Sequence, residues 1–228
     1  MTGPAAERVK YYAGLDLGLP GQFSALAVVE KRATQTEHGF EENAGYTVRH
    51  LQRFPPGTPY SVVVEAVRAV FADPPIKGGT LVVDQTAVGR AVFESVRDAK
   101  TGASVCGLSV TAGHAVASDE RGGWLVPKKD LVGVMQVLLQ EKRLKVSQAL
   151  EHARTLTEEL HQFQLKAVPL KPDALVWRER PHDDLVLAVG IAAWQAERYC
   201  PLGVWFFSLP DPEPPRSPWS WSWSRPLW

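Results

Sequence analysis

The ten residues Leu185-Val186-Leu187-Ala188-Val189-Gly190-Ile191-Ala192-Ala193-Trp194 contain no polar side chain. They read as a helix, and a helix that is apolar on every face has to be buried among other elements. The rest of the chain must therefore supply enough structure to cover it. Two carboxylates, Asp183 and Asp184, stand directly before it. Charge at the mouth of a buried element is costly to desolvate, and a repelling pair is costlier unless a cation or hydrogen bonds compensate. N-capping accounts for one aspartate but not readily for two.

The covering material is available. The chain has 228 residues, 45% of them hydrophobic, enough for one large domain or two small ones. Charged residues make up 22% and cancel to a net charge of +0, with a pI of about 7.0. Nucleic-acid binding would therefore rest on a local basic patch, not on overall charge. Cys106 and Cys200 form no metal or redox motif and read as reduced thiols of a cytosolic, cytoplasmic protein. Met1 to Lys10 carries charge and no apolar core, unlike a signal peptide, and no apolar run is long enough for a membrane span.

Period and punctuation divide the chain. Residues 1–10 read as a flexible leader. Strands are expected over 11–16, 24–30 and 46–54, the first two joined by the turn Gly18-Pro20-Gly21, with a polar loop over 34–43. A helix over 60–71, a strand over 80–83 ending in Asp84, a helix over 89–100 and a strand over 104–110 follow. The second half reads as helices over 128–142 and 149–163, a brief extended piece at 144–146, a Pro-interrupted linker over 168–177, and the apolar helix to about Tyr199. Short turns make the first three strands antiparallel, and helical crossovers make the next two parallel. The expected fold is α/β, a mixed five-stranded sheet flanked by helices over 11–208, followed by a Pro-, Ser- and Trp-rich disordered tail over 209–228.

Asp16 follows an apolar strand in Ala13-Gly14-Leu15-Asp16, and Asp84 ends one in Leu81-Val82-Val83-Asp84. Each alone reads as a turn or cap residue. Strand ends are where ligand sites gather in such sheets. If the two strands are neighbours, the Asp183-Asp184 helix would close the site from a third side. Converging carboxylates call for hard divalent cations, Mg²⁺ or Mn²⁺ rather than Zn²⁺. Two such ions about 3.5–4 Å apart suit phosphodiester cleavage.

These residues carry a resemblance. Tyr12-Ala13-Gly14-Leu15-Asp16-Leu17-Gly18, Leu81-Val82-Val83-Asp84-Gln85-Thr86-Ala87-Val88-Gly89-Arg90-Ala91-Val92 and His182-Asp183-Asp184-Leu185-Val186-Leu187-Ala188 resemble the nuclease domain of phage large terminase subunits, of the ribonuclease H-like superfamily. Val126-Pro127-Lys128-Lys129-Asp130-Leu131 and Glu158-Glu159-Leu160-His161-Gln162-Phe163 resemble it too, in the same order. The resemblance implies a ribonuclease H-like fold and a metal-dependent DNA endonuclease. Asp16, Asp84, Asp183 and Asp184 would be the catalytic, metal-holding residues, with two Mg²⁺ or Mn²⁺ ions. It implies duplex or branched DNA as substrate, and a separate ATPase motor or phage assembly proteins as partners in DNA packaging. The chain departs from that family in lacking a Gly-x-x-x-x-Gly-Lys-Ser/Thr phosphate loop. It also has Gln22 where many relatives have an acidic residue, and Ala87 where many have glycine.

Arg90, Arg121, Lys128, Lys129 and His182 are candidates for substrate contact, each against the plainer reading of a solvated charge or a helix cap. Glu65 reads as a solvated helix residue, although ribonuclease H enzymes use an acidic residue on the corresponding helix. Two other functions compete. One is a binding or assembly module of the same fold without catalysis. The other is an actin-like or sugar-kinase ATPase, suggested by Gly14-Leu15-Asp16-Leu17-Gly18 but lacking a second Asp-x-Gly motif.

Overall fold

The computed structural model describes residues 6–35, 41–86, 89–119, 122–166 and 183–198. Strands β1 (Ala6–Asp16), β2 (Ser24–Gln35) and β3 (Glu41–Phe54) are long and antiparallel. Helix α1 (Tyr60–Val70) leads to β4 (Thr80–Asp84), and α2 (Gly89–Asp98) leads to β5 (Ser104–Thr111). The short strands β6 (Ala117–Ser118) and β7 (Trp124–Pro127) precede α3 (Lys128–Gln140), and β8 (Leu144–Val146) precedes α4 (Ala153–Lys166) and α5 (Asp184–Arg198). Among the described residues, eight strands join one sheet in the order β6-β7-β5-β4-β1-β2-β3-β8.

The expected α/β class and the antiparallel-then-parallel pairing are observed. The strand count of five is corrected to eight among the described residues. Strand β8 falls on the brief extended piece expected at 144–146, which was not counted as a strand. Strands β6 and β7 were not expected, having two and four residues, too few to show a period of two. Residues 6–10, read as leader, are the first half of β1, because the alternation that betrays a strand lapses in Ala-Glu-Arg-Val-Lys while backbone pairing with β2 continues. The 34–43 loop shortens for the same reason: pairing carries Thr34 and Gln35 opposite Glu42 and Glu41. The linker over 168–177 and the tail over 209–228 lie outside the described residues.

Side chains alternate across the sheet, so each face has its own core. On one face Leu15, Leu26, Val28, Leu81 and Val83 pack under Val63, Val67 and Val96 of α1 and α2. On the other, Ala25, Ala27, Val29 and Leu51 pack under α5, with Met135, Leu138 and Leu156 of α3 and α4 completing the layer. Twelve of the fifteen residues of α5 are buried. Burying its larger apolar side chains stabilises the fold by about 1.5–3 kcal/mol each, which outweighs the weak helix propensity of Gly190 and the β-branched residues.

Gly14 fixes how closely α5 sits. A Cβ there would lie 2.0 Å from the Ala188 carbonyl oxygen, so the helix backbone rests directly on β1. The ends of α5 are also held. Buried Glu159 accepts hydrogen bonds from the Leu185 and Val186 N–H groups at 3.1 Å, and the Lys31 ammonium donates to the Ala196 carbonyl at 2.9 Å. Among the described residues, no helix is long and apolar enough to cross a membrane.

Candidate functional site

Strands β1, β4, β5 and β7 run parallel, so their C-terminal ends share one edge of the sheet. Leu15 pairs with Val83, which puts Asp16 and Asp84 one step further along two neighbouring strands. Neighbouring strands are about 4.8 Å apart. Asp16 also pairs with Ala25 of β2, and Ala25 with Arg53 of β3. Paired residues share a face, so Asp84, Asp16, Ala25 and Arg53 form one row beneath the N-terminus of α5. Ala25 is the small member of the row and leaves room for a side chain from above.

Asp184 comes down from α5 onto this row. The Arg53 guanidinium donates to both of its oxygens, at 2.8 Å and 2.7 Å. Arg53 itself lies over the Phe23 ring, 3.9 Å from its centre, with the Glu159 carboxylate 3.6 Å away. Glu159 is buried, and its Oε1 makes no hydrogen bond while Oε2 caps α5. Burial, with the Asp184 charge adding, pushes the Glu159 carboxyl up to about 7; the two helix N–H groups and Arg53 pull the other way.

Asp183 lies just outside the helix and is half-buried. The Lys128 ammonium donates to its Oδ2 at 3.3 Å. Lys128 is the first residue of α3, directly after β7, and so enters from the same strand-end edge. Asp84 is buried, and its Oδ1 accepts from the Thr86 backbone N–H at 2.8 Å and from the Thr86 hydroxyl.

The electrostatics match this convergence. Burial raises the Asp16 carboxyl well above the ordinary range, and Asp84, Asp184 and Asp183 raise it further; Lys128 opposes them. Burial also raises Asp84, against the Thr86 hydrogen bonds and Lys128. A cluster of this kind favours protons or added cations over bare negative charge.

All four sequence-predicted aspartates and Lys128 therefore meet at one edge. Lys129 is exposed on the first turn of α3. Arg90 lies in the first turn of α2, but its side chain is outside the description, as are Arg121 and His182. Glu65 is exposed on α1, across the sheet from the aspartates, and pairs with Arg68 at 2.8 Å. Gln22 closes the β1–β2 turn by accepting from the Leu19 N–H at 3.1 Å.

Sequence reasoning did not assign roles to Arg53 or Glu159. The signal for Glu159 was its place three residues after Leu156, on the apolar stripe of its helix. No comparable signal marks Arg53, because its partner is 131 residues away in the chain.

A cavity of about 160 Å³ lies on the α2 side, lined by Gln85, Phe93, Arg97, Cys106 and Gly107 among others. None of the four aspartates lines it. Its one thiol, Cys106, is pushed up to about 11 by burial, which makes it a poor nucleophile.

The donor set offered by the aspartates is oxygen only, which suits Mg²⁺ or Mn²⁺. Among the described residues, no three His, Cys, Asp or Glu side chains stand ready as a metal-ligand group. Arg53 and Lys128 instead occupy oxygens of Asp184 and Asp183. In comparisons with known proteins, the chain matches no family model, no curated protein and no solved structure.

Proposed function

We propose that this protein is a metal-dependent DNA endonuclease of the terminase-nuclease type, built on a ribonuclease H-like sheet. The observation that carries the reading is the alignment of Asp16 and Asp84 at the ends of adjacent parallel strands, with Asp183 and Asp184 facing them from α5. Asp16, the second oxygen of Asp84 and the α5 aspartates would hold Mg²⁺ or Mn²⁺. Such ions would supply Lewis acidity and activate an attacking water. The chain's own groups do the positioning. Thr86 orients Asp84, Arg53 and Glu159 fix the first turn of α5, and Lys128 and Lys129 offer positive charge to a phosphate backbone.

The test is cleavage of plasmid DNA with Mg²⁺ or Mn²⁺. Asp84→Asn is expected to lower the rate by about a hundredfold or more while the protein stays folded. Full activity in that variant would sink the assignment.

A second reading is a binding or assembly module of the same fold without catalysis. The bidentate Arg53–Asp184 pair favours it, since it occupies both oxygens of one expected ligand. Calorimetry with Mn²⁺ separates the two. Metal-linked heat and stabilisation support the nuclease, and their absence supports the module.

A further inference from the structure

Lys128 and Lys129 open α3, where the helix dipole disfavours cations. Pro127 precedes them and provides no side-chain cap. The two lysines differ in surroundings. Lys129 is exposed, whereas the Lys128 side chain is 22% exposed and reaches 3.3 Å from Asp183. Its charge also acts on Asp16 and Asp84. An ammonium that pairs with one carboxylate of a repelling group and is felt by two others holds the place of a cation. Its four-carbon stem is flexible and can carry the ammonium to another anion within a few ångströms.

We propose that Lys128 is the exchangeable counter-ion of the carboxylate cluster: it rests on Asp183 in the metal-free chain and moves to a backbone phosphate of DNA when a divalent cation takes its place. This rests on the nuclease reading above. It makes Lys128 the residue that couples metal loading to substrate binding. Without metal it pairs with Asp183; with metal it reaches the nucleic acid.

The experiment compares the full chain with Lys128→Gln, Lys128→Arg and Lys129→Gln. Titration with Mn²⁺ alone is expected to show Lys128→Gln binding the ion about fivefold or more tightly, because a competing charge is gone. Lys128→Arg and Lys129→Gln should stay within about twofold of the parent. With Ca²⁺ present, Lys128→Gln should bind a 20-base-pair duplex more weakly, with the salt slope reduced by about one. Unchanged or weaker Mn²⁺ binding in Lys128→Gln overturns the proposal, as does an equal gain in Lys129→Gln or an unchanged duplex salt slope. If the parent chain binds no Mn²⁺, the nuclease reading fails and the exchange with it. The resting pair is then judged in the metal-free chain by a thermal double-mutant cycle of Lys128→Gln and Asp183→Asn. Coupling in that cycle supports the counter-ion on Asp183, and additivity overturns it.

Discussion

Glu159 shows how much one buried side chain can do. Its carboxylate satisfies two N–H groups at the start of α5 and lies beside Arg53, which in turn grips Asp184. Truncation leaves those buried donors without a protein partner, at about 1–3 kcal/mol. Glu159→Ala should therefore lose about 2–3 kcal/mol in urea unfolding, and Glu159→Gln, which keeps an acceptor oxygen, about 1 kcal/mol. Equal losses in the two variants would contradict the capping role. Glu30, far from the site, gives a pH signature. Burial raises its carboxyl, but hydrogen bonds from Arg49, Arg32 and Tyr11 outweigh burial and hold it at about 2, below the ordinary 4.5. A lowered folded-state value means the contribution is present above about 4.5 and lost as pH falls towards about 2. Glu30→Gln should flatten the acid limb of the stability curve over that window, as followed by circular dichroism.

At the scale of elements, the strand that carries Asp16 and the helix that carries Asp184 are joined at Gly14. Gly14→Ala would place a methyl group 2.0 Å from the Ala188 carbonyl oxygen, a contact with backbone that only movement of α5 relieves. A loss of about 3 kcal/mol is expected by thermal unfolding. Any folded fraction should bind Mn²⁺ more weakly, because the helix carboxylates have moved off the row. The same elements show what the sequence makes legible. Most of each long strand and helices α1 to α4 announce themselves by period, α5 by its unbroken apolar run, and each aspartate by its place at an element end. Of the short strands, β8 shows only as a brief extended piece, and β6 and β7 do not show at all, because two or four residues cannot display alternation. The Asp16–Asp84 adjacency was open until the strand order was known. Arg53 was hidden because in β3 it reads as one more polar residue on an alternating strand.

At the scale of the whole molecule, the overall charge of +0 conceals a concentrated acidic edge. Carboxylates raised by burial and by one another are destabilising when ionised, so a cation that binds only the folded chain should stabilise it. At a Mn²⁺ concentration of about a hundred times Kd, the gain is about 2.7 kcal/mol, visible as a raised Tm by scanning calorimetry. Asp16→Asn should abolish that rise while leaving the metal-free Tm equal or higher, since it removes one repelling charge. The two ends of α5 carry the last consequence. Acidic Glu159 sits at one pole and cationic Lys31 at the other, each opposite in sign to the pole it touches. The helix is thus an electrical element of fixed polarity, with its positive pole aimed at the aspartate row. Because Gly14 denies it any slack, that field is set when the chain folds and stands already oriented at the aspartate row.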